Sequence, residues 1–215
     1  MPPDLKLHGF FNSSASYRVR IALGLKGLRW EHVGVNIRSG IQNGPHYKAL
    51  NPAALVPTLG VGGDRVTQSL AIIDRLDRLQ PTPLLVPRTG AARDRVLEIA
   101  LLIACDIHPL NNLRVVKYLT GPLELSEGQK HAWYAHWIAL GFETLEALLP
   151  DRDGWCVGEA PTLADCCLVP QVANAHRMKI DLTPYARIRR IHGHCQRHPA
   201  FAAAAPEAQP DFTTT

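Results

Sequence analysis

Along the first eighty residues the spacing of apolar positions switches repeatedly between two periods. Leu5 and Leu7 alternate with polar neighbours and lead into Phe10 and Phe11, which reads as a strand and its exit. A polar turn over 12–16 follows. Val19, Ile21, Ala22, Leu23 and Leu25 then recur at helical spacing as far as Gly27, predicting a helix over 17–26. Residues 30–35 predict a second strand, and 36–50, with Gly40, Gly44 and Pro45, a loop holding one short helix. On either side of Gly62 and Gly63 the runs 58–61 and 65–67 predict a hairpin. Leu70, Ile72, Ile73, Leu76 and Leu79 mark the inner side of a helix over 69–79, with Ser69 in cap position. The order β-α-β-α-β-β-α describes a small mixed sheet carrying helices. Its βαβ half implies a parallel pair and its hairpin an antiparallel one.

Prolines at 81, 83 and 87 then interrupt the pattern and cannot continue a helix, so a linker lies between a first domain, 1–81, and a second, 88–215. Every long segment of the second is helical: 91–118 with a kink forced at Pro109, then 129–149, 162–177 and 184–198. The fold class expected is α/β plus all-α, a helical bundle following the mixed sheet.

Composition narrows the function. Of 215 residues, 46% are hydrophobic, ordinary for a globular protein. No uninterrupted apolar stretch reaches the length of a membrane span, and the first residues lack the pattern of a secretory signal. The formal charge of +4 is unevenly placed, with ten basic against five acidic side chains in residues 1–80. That excess is too small for a nucleic-acid binder and suits a small anionic ligand held by the first domain. The five cysteines form no C-x-x-C, so neither a zinc knuckle nor a dithiol redox site is indicated, and a reducing cytoplasm is the expected compartment.

Three local features can carry chemistry. The turn Asn12-Ser13-Ser14-Ala15-Ser16 fits an ordinary helix cap, and equally a hydroxyl at a helix N-terminus facing an anion. Val56-Pro57 precedes a strand, a place where cis bonds occur; if cis, it turns the Val56 N–H and C=O outward to pair with an extended peptide. Gln68-Ser69 opens a helix, a good place to hold a carboxylate.

In this order the features resemble a cytosolic glutathione transferase, and the run Ser13-Ser14-Ala15-Ser16-Tyr17-Arg18-Val19-Arg20-Ile21-Ala22-Leu23 resembles the zeta-class signature S-S-C-x-W-R-V-R-I-A-L. The similarity continues through Asp106-Ile107-His108-Pro109-Leu110-Asn111-Asn112, Pro161-Thr162-Leu163-Ala164-Asp165 and Gln209-Pro210-Asp211, over nearly the whole chain. The resemblance implies a thioredoxin-like first domain with a mixed four-stranded sheet, an all-helical second domain, and a homodimer. It implies maleylacetoacetate or maleylpyruvate isomerase activity: glutathione thiolate adds to the cis double bond of a maleyl keto-acid, the single bond so formed rotates, and the thiolate leaves. Neither metal nor redox couple is needed. A thiol of pKa near 8.5 is only about 3% ionised at pH 7, and lowering that pKa by two units is worth about 2.7 kcal/mol.

By family position, Ser13 is the hydroxyl donor to sulfur, with Ser14 beside it. The resemblance assigns Gln42 to glutathione's glycine end, Val56 to its cysteinyl backbone, Gln68 and Ser69 to its γ-glutamyl carboxylate, and His108 and Asn112 to the second domain's share of the site. Arg114 and Arg177 are the candidates for gripping a dicarboxylate substrate bidentately. Two positions depart from the family: Ala15 replaces its usual Cys, and Asn12 replaces an Arg. They leave open glutathione transfer to small α-halo acids, and a non-catalytic glutathione-binding module. A glutaredoxin-type reductase needs a Cys in this turn and has none. Elsewhere, Asp165 reads as a capping-box residue, Cys166 and Cys167 as packing, the aromatic residues of 133–142 as core, and His192, His194, Cys195 and His198 as helix positions that diverge too far for zinc.

Overall fold

The computed structural model describes residues 4–213. It divides into two compact units, one built from the chain up to Val86 together with the segment from Gln196 onward, the other from Pro87–Cys195. Residues 196–213 therefore cluster with the first unit, whereas the sequence places them in the helical one.

In the first unit, β1 (Leu5–Gly9), β2 (Glu31–Gly34), β3 (Thr58–Val61) and β4 (Asp64–Thr67) form one mixed sheet in the order β2-β1-β3-β4. β1 runs parallel to β2, with Leu7 opposite His32, and antiparallel to β3, with Leu7 opposite Leu59. β3 and β4 form the hairpin, joined through Gly62 at φ 59°. Leu5, Leu7, Leu59 and Val61 are all buried. Against the sheet lie α1 (Ser14–Leu25) and α3 (Ser69–Leu79), with Val19, Leu23, Ile72, Ile73 and Leu76 sealed from solvent. The short α2 (Pro45–Leu50) starts on a proline, where the missing N–H costs nothing.

From Ser16 to Leu23 every residue of α1 is buried, which one amphipathic stripe does not predict. The far side of α1 is covered by α9 (Pro199–Ala204), a helix that the sequence presents only as an alanine-rich tail. Small residues allow that approach: a Cβ on Gly24 would stand 3.1 Å from the Ala200 side chain. The linker is tied to this unit too. The Asp77 carboxylate accepts the Leu85 and Val86 amides at 2.9 Å each, and the buried Lys26 ammonium pairs with Asp77 and donates to the Gln80 and Pro83 carbonyls.

The second unit is helical throughout its regular structure. Instead of one kinked helix over 91–118 there are α4 (Ala91–Leu101), a wide π-type turn Leu102–Ile107, a tight 3-10 turn His108–Asn111, and α5 (Leu113–Thr120). Pro109 has no N–H and its ring excludes the carbonyl four residues back, so the ladder widens before it and tightens after it. Gly141 of α6 (Glu127–Leu148) makes room for the wide turn, since a Cβ there would overlap Ile107 at 2.3 Å. The stretch 91–120 is by length and mean hydropathy, 1.3, long and apolar enough to cross a membrane. Within this unit its Val96, Ile99, Ile103 and Ile107 form part of the core.

The most buried helix is α7 (Leu163–Arg177), including Cys166 and Cys167. Its capping box is formed as the sequence predicts: the buried Asp165 carboxylate accepts the Thr162 amide at 2.8 Å, and also the Cys156 amide at 2.8 Å. Burial pushes that carboxyl's pKa up, and those bonds pull it back. α8 (Ala186–Gln196) completes the bundle. Of the aromatic residues over 133–142, Tyr134 and Phe142 are core, but Trp133 and Trp137 are only half-buried.

Candidate active site

Strand register gathers the first unit's candidate residues at one end of the sheet. His8 pairs with Thr58 and Thr58 with Thr67, while Gly9 pairs with Gly34. The segments leaving those positions are the turn carrying Ser13 and Ser14, the approach carrying Val56, the start of α3 at Gln68 and Ser69, and the loop carrying Gln42. No local spacing relates these four segments; the pairing of β1 with both neighbours does.

Ser13 is the N-cap of α1. Its hydroxyl oxygen accepts the Ser16 amide at 3.2 Å, while its own amide donates to the Phe10 carbonyl at 3.0 Å. An oxygen engaged as acceptor keeps its proton for another partner, so the hydroxyl can cap and donate together. Ser14 opens the helix, and no acidic residue lies in this first turn. Ala15 beside it carries no ionisable group.

The N-terminus of α3 is prepared differently. Gln68 rather than Ser69 occupies the cap position, at φ 68°, and its side chain makes no capping bond. Ser69 is the first helical residue, so the sequence placement is one residue late. With no side-chain cap and no acidic residue in the first turn, the α3 amides remain available to an anion. By contrast α6 and α7 cap themselves and carry Glu127 and Asp165 in their first turns. Beneath α3, Arg18 donates to the Ser69 hydroxyl at 3.3 Å, and both residues are buried, at 2% and 6% exposure. The other two guanidinium nitrogens of Arg18 make no hydrogen bond.

Val56-Pro57 is cis, as the sequence suggests. The Tyr47 hydroxyl at 2.8 Å and the Asn51 side-chain Nδ2 at 2.7 Å both donate to the Leu55 carbonyl, fixing the residue before Val56. Gln42 is half-buried and its side-chain amide donates to the Ile37 carbonyl at 3.3 Å. Arg20 is fully buried; it donates to the Ala204 carbonyl at 2.9 Å and to the Phe10 and Phe11 carbonyls at 3.3 and 3.0 Å. Burial pushes its pKa down to about 10, against the pull of Tyr17, Asp211 and Glu207. Sequence reasoning passed over Arg18 and Arg20. The available signal was two cations on a helix that otherwise reads as core, since buried guanidinium groups require partners.

In the second unit, His108 begins the 3-10 turn and Asn112 is the N-cap of α5, its side-chain oxygen accepting the Arg114 amide at 3.1 Å. Arg114 and Arg177 are exposed, the latter in the last turn of α7. One stretch of α6 holds both regions. Trp133 donates to the Leu110 carbonyl at 2.9 Å, Tyr134 to the Asn111 carbonyl at 2.7 Å, and the His131 ring lies 3.1 Å from the Met178 carbonyl. His108, Asn112, Arg114 and Arg177 thus belong to one end of this unit. Among the described residues no group of three His, Cys, Asp or Glu side chains is placed to hold a metal ion.

A mixed four-stranded sheet with a capped hydroxyl and an uncapped helix start at one end, joined to a helical unit, is the architecture of the glutathione transferases. Residues 12–79 match the glutathione S-transferase N-terminal domain and 138–203 its C-terminal domain. The chain is 45% identical to the maleylpyruvate isomerase of a Ralstonia species, over 96% of this chain and 99% of that one. It superposes with a TM-score of 0.94, at 44% identity, on the holo structure of a maleylpyruvate isomerase described as a bacterial zeta-class glutathione transferase, covering 97% of this chain and all of that one. A maleylacetoacetate isomerase of Anaeromyxobacter dehalogenans, 34% identical with a TM-score of 0.86 and covering 98% and 94% of the two chains, was solved with dicarboxyethyl glutathione and citrate in its active site. The chain belongs to the zeta class of the glutathione S-transferase family.

Proposed function

We propose that this protein is a glutathione-dependent cis–trans isomerase of a maleyl keto-acid, maleylacetoacetate or maleylpyruvate, serving the breakdown of aromatic compounds. The observation that carries this reading is the meeting, at one sheet end, of the Ser13 hydroxyl with an uncapped α3 start backed by Arg18. These residues fit glutathione, which needs a donor for its sulfur, an extended edge for its backbone and a cationic seat for its γ-glutamyl carboxylate.

Glutathione supplies the thiolate that adds to the double bond and later leaves. Ser13 donates its proton toward that sulfur, and the α1 N-terminus adds its partial positive charge, so the charged form is favoured near neutral pH. Ser14 lines the same turn. Val56 presents backbone groups to the cysteinyl residue, Gln42 meets the glycine end, and Gln68, Ser69 and the α3 amides take the γ-glutamyl carboxylate, with the Arg18 charge beneath. In the helical unit, His108 and Asn112 are the residues proposed for glutathione, and Arg114 and Arg177 those proposed for the substrate's two carboxylates. The dicarboxyethyl glutathione of the Anaeromyxobacter relative has the connectivity that thiol addition to a butenedioate produces, which supports addition over displacement.

Cysteines buried as packing residues, such as Cys166 and Cys167, support a reducing cytoplasmic setting, and exposed apolar side chains such as Leu101 on α4 support a homodimer. The test is an absorbance assay of both maleyl substrates with and without glutathione. Glutathione-dependent conversion to the fumaryl isomer is expected. Binding of glutathione without turnover of either substrate would leave only a binding module, and halide release from α-halo acids without isomerisation would make the protein a transferase.

A further inference from the structure

The end of the chain, which the mechanism above does not use, is folded onto the turn that carries Ser13. Gln209 donates to the Ala203 and Ala205 carbonyls at 3.0 and 2.8 Å, turning the tail back along α9. Asp211 then reaches the end of β1, where its Oδ2 accepts the Phe11 amide at 3.0 Å across 200 residues of sequence. Its Oδ1 lies 2.9 Å from His32 Nε2, and the Phe212 ring meets Phe11 edge-on at 5.4 Å. The fit is close: a Cβ on Gly34 would stand 3.1 Å from the Asp211 Cβ. Arg20 holds the Phe10 and Phe11 carbonyls, and the Phe10 amide points to Ser16 Oγ at 3.4 Å. Both residues before Asn12 therefore have amide and carbonyl fixed, and the Phe11 amide is fixed by the tail.

We propose that Asp211 is a positioning residue for the reaction: by holding the Phe11 amide it sets where the Ser13 hydroxyl stands, which makes the C-terminal tail a working part of the thiolate site. This rests on Ser13 being the donor to sulfur. The reason is geometric. A hydrogen bond to a thiolate weakens over a few tenths of an ångström, and a two-residue link transmits a shift of that size from Phe11 to Ser13. Among the described residues, the charged and titratable groups around this contact include His32 on β2, Arg20 on α1, whose charge Asp211 helps to hold, and Arg38, whose guanidinium lies 5.4 Å from the Phe11 ring centroid.

The test compares Asp211→Ala with Asp211→Asn, reading the ultraviolet absorbance of bound thiolate against pH together with kcat and KM. In the alanine variant the bound thiol's pKa is expected to rise by about one unit, a tenfold loss of thiolate below it, with a similar fall in kcat near neutral pH. The asparagine variant, uncharged but still able to accept the Phe11 amide, should stay within about twofold of the parent. Gly34→Ala, which crowds the tail without removing any of its groups, should shift the pKa in the same direction by less, and it serves if the alanine variant does not fold. Parent-like ionisation and kcat in Asp211→Ala, whatever its melting temperature, would reduce the tail to a structural role. An asparagine variant shifted as far as alanine would make the charge, not the held amide, responsible, and overturn the proposal. Parent-like ionisation in Ser13→Ala is a different failure, that of Ser13 as donor.

Discussion

Arg18 and Ser69 meet through a single hydrogen bond of 3.3 Å that joins the start of α1 to the start of α3. A buried guanidinium with one neutral partner is costly, and the ligand carboxylate proposed for the α3 N-terminus would supply the missing opposite charge. Arg18→Met is expected to weaken glutathione binding at least tenfold by calorimetry. An analogue lacking the γ-glutamyl α-carboxylate should bind parent and variant alike; equal losses for both ligands would remove the carboxylate from this account.

Ser13 is the observed cap of α1 and the proposed donor to sulfur, so its replacement has two readouts. Ser13→Ala loses the cap to the Ser16 amide, which costs about 1 kcal/mol of stability. It also loses the proposed donor to sulfur, and turnover near pH 7 should fall roughly tenfold to a hundredfold. Ser13→Gly, which caps nearly as well as serine but cannot donate, should keep most of the stability and lose the turnover. A variant that keeps full turnover would exclude Ser13 from the chemistry.

The Lys26–Asp77 pair is buried and ties the linker to the first unit. Lys26→Met leaves Asp77 without its cation and two linker carbonyls without a donor, and about 3–5 kcal/mol of stability should be lost. Chemical denaturation measures it, and a loss below about 1 kcal/mol would show that the pair is not under strain when broken.

His192 on α8 has its pKa lowered to about 4, mainly by burial and further by His176. Its folded value lies below its unfolded 6.5, so its contribution is complete above pH 6.5 and is lost as pH falls toward 4. The full effect is at most about 3 kcal/mol. Melting temperatures of His192→Gln should decline less steeply than the parent's between pH 6.5 and 4. Parallel acid limbs would contradict the assignment.

Gly141 sits where α6 crosses the wide turn before His108. Gly141→Ala forces Ile107 to move, at a cost of about 1–3 kcal/mol, and shifts the His108–Asn111 turn with it. Thermal melts report the first effect and substrate KM the second. Unchanged values for both would mean that the turn relaxes freely.

The individual elements were readable where neighbours within a few residues decide them. Alternation in β1, the glycine turn of the hairpin, the Thr162 and Asp165 capping box and the break at Pro109 each follow from local sterics and hydrogen bonding. Element ends were read less closely: α1 starts at Ser14, three residues before the apolar spacing announces it, because a capping serine carries no hydrophobic signal. α9 was missed because a six-residue segment with four alanines and a single large apolar residue, Phe201, shows no stripe until another helix covers it.

By itself, then, the order of residues determined the alternation of strand and helix, the proline break, the position of the Ser13 turn and the kinship with glutathione transferases. Those depend on contacts close along the chain, or on whole motifs kept in sequence. Only the tertiary structure decided that α1 is buried on all sides, that Arg18 lies under Ser69, and that Asp211 holds the Phe11 amide. Such partners lie 51 and 200 residues apart, and chain spacing carries no record of which distant backbone group a charged side chain will meet.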